Sequence, residues 1–80
     1  MNINGIELVE KTQEQQAECY MAFTTLFPEH IVRGFHEIVQ NEGVLGAITS
    51  FIKDFSDDKT EEAREMINVI YSAMVYISKH

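Results

Sequence analysis

An all-α fold is predicted, a compact bundle of about four helices with the C-terminal helix at its centre. Three observations lead there. Apolar residues recur at helical spacing in four successive stretches, and Pro28, Gly43 and the Ser56-Asp57-Asp58 triplet punctuate them at short intervals. The last stretch, Met66 to Ile77, carries ten apolar residues in twelve and so is apolar nearly all round. A surface helix needs one apolar stripe only, so this helix is expected to be enclosed by its own chain or by a second copy in an interlocked helical dimer.

Residues 1–11 are expected to form an irregular or extended arm on a single 80-residue domain. Asn4-Gly5 is a turn pair, and Ile6-Glu7-Leu8 alternates as a short strand does. The first helix is placed from about Thr12 to Leu26, with a capping box formed by Thr12 and Gln15. Cys19, Phe23 and Leu26 give its apolar stripe. Pro28 ends it and suits the start of a second helix, about Glu29 to Asn41, in which Ile31, Val32, Phe35, Ile38 and Val39 share a face. Gly34 beside that face suggests close approach of a neighbouring helix, and Gly43 a left-handed terminator. A third helix follows on Val44, Leu45, Ile48, Phe51, Ile52 and Phe55. The fourth, about Lys59 to Ser78, is opened by a capping box of Asp58 with Glu61. The middle of each stripe, Phe35, Ile38, Phe51, Ile52, Ile67 and Ile70, is the expected core.

Composition narrows the function classes. Hydrophobic content of 45% with 24% charged residues is a globular balance. The formal net charge of −7 argues against direct nucleic-acid binding and against anionic membranes, both of which demand Lys and Arg. Met66 to Ser78 is too short to cross a bilayer, and the N-terminal sequence lacks a secretory pattern. With one cysteine, Cys19, no intrachain disulfide forms, and a cytoplasmic location is expected.

No catalytic or metal-binding constellation emerges. His30 and His36 are six apart, about 240° round a helix, and cannot share a metal's inner shell from one helix. The acidic run from Asp54 to Glu62 lacks the glycine and spacing of a calcium loop. Cys19 neighbours Glu18 and lies in the apolar register, a core residue rather than a nucleophile. No phosphate-cradling loop or cofactor fingerprint is present. The chain is therefore read as a non-enzyme without cofactor or metal.

Binding remains. Glu14 and Glu18 form one acidic pair, and Asp57, Asp58, Glu61 and Glu62 form the heart of a second cluster. Both are candidates for recognising a protein partner with a basic surface. The second apolar line of the last helix, Met66, Val69, Ala73 and Tyr76, is hard for three short helices to cover, so Val69, Ala73 and Tyr76 are candidates for a homo-oligomer interface. The expectation is a small acidic protein-binding module, a homo-oligomeric regulator or inhibitor of a larger protein. Phage and mobile-element inhibitors share this size and composition, and the association goes no further. The alternatives are an oligomer that sequesters a small molecule and a nucleic-acid mimic whose carboxylates replace phosphates.

Overall fold

The computed structural model describes residues 1–54 and 60–79. A two-stranded antiparallel hairpin, β1 (Asn2–Ile3) and β2 (Ile6–Glu7), precedes three helices: α1 (Gln13–Leu26), α2 (Glu29–Asp54) and α3 (Glu61–Lys79). The fold is all-helical apart from that hairpin. Asn4 and Gly5 hold φ of 52° and 83°, the pair of positive values that a two-residue hairpin turn requires. Leu8 N–H donates to the Met1 carbonyl and prolongs the pairing.

The capping box of α1 is the one its sequence predicts. Gln15 N–H donates to Thr12 Oγ1 at 3.2 Å, and Thr12 N–H donates to Gln15 Oε1 at 3.1 Å. Pro28 interrupts the backbone ladder, and its carbonyl receives the first bonds of α2 from Ile31 and Val32. The cap of α3 differs from expectation. Thr60 Oγ1 accepts from Ala63 N–H at 3.2 Å, so the helix begins after Thr60. Asp58, expected to cap it, lies outside the described residues.

Three helices stand where about four were expected, because one residue, Gly43, separates residues 29–42 from 44–54 and leaves no loop between them. Gly43 has φ 78° and ψ 169°, an extended left-sided conformation essentially confined to glycine, rather than the left-handed helical one expected of a terminator. The break folds α2 back on itself. Phe35 and Phe51 would lie about 24 Å apart along a straight helix, yet their ring centroids are 5.8 Å apart. Nothing lies within 4 Å of where a Cβ on Gly34 would sit, so the close helix approach expected there is absent.

α3 is the hub, packed against both α1 and α2, which meet each other through side chains such as Tyr20 with His36 and Phe23 with Phe35. Ile67, Ile70, Tyr71, Ser72, Ala73, Met74 and Ile77 are all buried. Ile6 and Leu8 from the hairpin arm, Phe23 from α1, and Ala47, Ile48 and Ile52 from the second half of α2 close around it. The expected core is corrected at three positions. Ile38 is 40% exposed, and Phe35 and Phe51 are only half-buried, because folding α2 at Gly43 places all three on the crook between its halves, with Phe35 and Phe51 at the edge of the core.

Asn68, one of two polar breaks in the apolar run, fastens the arm to the hub. Its Oδ1 accepts from Val9 N–H at 2.8 Å, and its Nδ2 donates to the carbonyls of Glu7 at 3.0 Å and Arg64 at 3.1 Å. A carbonyl and an N–H two residues apart face the same side of an extended chain. The side-chain amide thus occupies the place a neighbouring strand would take.

Candidate functional site: an apolar crook rimmed by acids

The fold-back of α2 creates a groove. Ile31, Phe35 and Ile38 line one wall and Ala47, Phe51 and Asp54 the other, enclosing about 360 Å³. Phe27 and Phe51 also border an adjoining cavity of about 180 Å³ against Ala63, Met66, Ile67 and Ile70 of α3. The second cavity exposes no polar atoms. An aromatic chain supports the floor. Phe23 lies 5.2 Å from Phe27 and 5.1 Å from Phe35, the latter pair edge to face, and Phe35 meets Phe51 in turn. Such contacts fix ring orientation beyond simple area burial. Ile31, Ile38 and Met66 leave 36 to 40% of their surfaces in water along this path. An apolar surface concentrated in a concavity marks a binding site more strongly than the same residues scattered.

The surroundings are acidic. Asp54 lies on the groove wall. Glu61, Glu62 and Glu65, with Thr60, frame a shallow depression at the first turns of α3, next to Ala63 and Met66. These carboxylates sit at the positive end of the α3 dipole, which makes the clustering tolerable without a cation. Glu14 and Glu18 are exposed on α1. Asp57 and Asp58 lie outside the described residues.

The interface expected on α3 takes a different form. Ala73 is 1% exposed and belongs to the chain's own core, so it offers no surface to a second copy. Of the rest of that second apolar line, Met66 is exposed and Val69 and Tyr76 are half-buried. Tyr76 stacks on Tyr20 at 4.8 Å, and Tyr20 in turn shares a 2.9 Å hydrogen bond with His36 Nε2. Val69 is half-buried and lines a depression with Val9, Asn68 and Arg64.

Other candidate chemistry resolves simply. Cys19 is buried, and His30 is exposed. Among the described residues no group of three or more His, Cys, Asp or Glu side chains is placed to hold a metal, and no helix is long and apolar enough to cross a membrane. The sequence reading missed the groove because its maker, the sharp fold at Gly43, brings together residues 16 apart that look like separate core positions. Compared with protein-family models, curated proteins and solved structures, the chain matches none.

Proposed function

We propose that this protein is a small acidic protein-binding module, a regulator or inhibitor of a larger protein, whose contact surface is the apolar crook of α2 with its extension to Ala63 and Met66. The observation that carries the reading is the continuity of the two cavities through Phe27 and Phe51, with carboxylates at the rim. The occupant that fits is one face of an amphipathic helix from a partner protein, with Lys or Arg flanking its apolar residues. Apolar anchors entering such a groove supply affinity, while the −7 chain and its rim of Asp54, Glu61 and Glu62 raise the encounter rate with a basic segment. The same reading places the module in a reducing, cytoplasmic setting, where a lone buried thiol is stable.

A synthetic Leu/Lys amphipathic helix and its Leu/Glu counterpart test this by fluorescence titration. The Lys peptide should bind and the Glu peptide should not. Ile38→Glu and Met66→Glu, both at partly exposed positions, should abolish binding while preserving the helical circular dichroism. Glu61→Lys with Glu62→Lys should slow association, most clearly at low ionic strength. Binding unaffected by Ile38→Glu would overturn the groove assignment. Sedimentation addresses self-association: a dimer that Ile38→Glu dissociates would make a second copy of this chain the occupant instead.

A further inference from the structure

A further cavity, away from the α2 crook, has a polar character. It encloses about 210 Å³ between the end of the arm, the start of α1 and the last turns of α3. Ser72, 1% exposed, lines it, and its hydroxyl has no hydrogen-bond partner among the described residues. That is unusual for this chain. A helical Ser or Thr commonly donates to a carbonyl one turn back, as Thr24, Thr25, Thr49 and Ser78 do here. A buried hydroxyl left unpaired is costly, and such groups in native proteins call for a missing partner.

The rest of the lining also offers polar groups, though Ser72 Oγ is the one side-chain atom both fully buried and unpartnered among the described residues. Gln16 is buried and uses its Nε2 to donate to the Lys11 carbonyl at 2.9 Å, while its oxygen is unengaged among the described residues. Tyr71 is buried, lines the same cavity and forms no hydrogen bond among the described residues. Lys11 and Lys79 border the cavity, and neither is ion-paired among the described residues. The chain has only six Lys and Arg against thirteen acids, so two lysines on the lining of one cavity run against the general charge. Glu10 is the one carboxylate on the lining, which leaves a net positive charge. The space exceeds what one bridging water needs, since water's share of liquid volume is about 30 Å³.

We propose that this cavity binds a small organic carboxylate. The ligand's oxygens accept from the Ser72 and Tyr71 hydroxyls and pair with the Lys11 and Lys79 ammoniums, and its carbon skeleton lies against Val75 and the Tyr71 ring. The Tyr71 phenol is protonated at neutral pH and so able to donate; burial, with a smaller contribution from the Glu10 carboxylate, holds it above its ordinary value. Glu10 opposes more highly charged anions such as phosphate. This site is separate from the α2 crook, so it stands or falls independently of the protein-binding reading.

The test titrates isotope-labelled protein with sodium butyrate, with butyramide as the neutral isostere, and with sodium phosphate and sodium chloride at matched ionic strength. Butyrate should shift the amide resonances of Lys11, Gln16, Ser72 and Val75 saturably in the millimolar range and raise the melting temperature. Butyramide and chloride should do neither. Ser72→Ala should leave the free protein as stable as before or more so, and weaken butyrate binding about tenfold, the loss of one charge-assisted hydrogen bond. Lys11→Gln combined with Lys79→Gln should weaken it at least as much, and Lys53→Gln should not change it. The proposal is overturned if butyrate gives no saturable shift, if butyramide or phosphate binds as well, or if the double lysine variant binds butyrate unchanged.

Discussion

Replacing Asn68 by Ala removes all three bonds that its amide makes, two of which hold the hairpin arm to α3. A neutral hydrogen bond contributes about 0.5–1.5 kcal/mol net. The groups lie near solvent, so water takes over part of their pairing, and a total loss of about 1–2 kcal/mol follows. The arm also buries Ile6 and Leu8 to 2% and 1% exposure. Each such side chain contributes about 1.5–3 kcal/mol of apolar burial, so the arm stays docked when the amide is lost. Asn68→Ala should therefore lower the urea midpoint without changing the slope of the transition, and it should release the Val9 amide to rapid hydrogen exchange. Leu8→Ala, which removes an anchor itself, should cost about 2–5 kcal/mol, a large share of what a domain of this size possesses. Asn68→Asp should be worse than Asn68→Ala at neutral pH, because a carboxylate accepts from Val9 but faces the Glu7 and Arg64 carbonyls with no donor. Those carbonyls favour the protonated acid in the folded chain, so the excess penalty should shrink as pH falls toward the ordinary Asp value of about 4, protonation restoring a donor. An unchanged midpoint with Val9 still protected in Asn68→Ala would refute the clamp.

Gly43→Ala should destabilise by about 1–3 kcal/mol in thermal melts, since φ 78° with ψ 169° is strained for any residue with a Cβ. Gly34→Ala should do the opposite, gaining about 0.5–1 kcal/mol, because the position is mid-helix and a Cβ there meets nothing. Tyr71 holds its proton more tightly in the folded chain than in the unfolded one. Its stabilising contribution is therefore complete below the ordinary tyrosine value of 10.0 and is lost as pH rises through the folded value, so ultraviolet titration should show one tyrosine ionising late and together with unfolding.

Local chemistry was readable where it acts over a few residues. The Thr12–Gln15 box, the Asn4-Gly5 turn and the stop at Pro28 are backbone effects whose partners lie within four positions. The apolar circumference of α3 likewise shows that it must be surrounded. What surrounds it was not readable. Part of that cover is the arm, docked through Asn68 to residues some sixty positions earlier, and no period in the sequence encodes that pairing. Ile38 and Phe51 illustrate the opposite failure. Their helical spacing is correct, but spacing identifies a shared face without saying whether that face meets the hub or the other half of the same helix. Ser72 reads as an interruption in an apolar run, and only its missing partner distinguishes it from the similarly placed Asn68.

The two arms of α2 are unequally moored. Residues 44–54 are set into the hub by Ala47, Ile48 and Ile52, whereas residues 29–42 have Val39 as their one fully buried anchor. Regions with few buried contacts open at lower free energy than the molecule as a whole. Amide exchange should therefore rank the first arm fastest, the second slower and α3 slowest. With a single glycine between walls so unequally anchored, any adjustment of the groove to the girth of an occupant should come from the wall that carries Ile31 and Ile38, while the wall that carries Phe51 stays set in the hub.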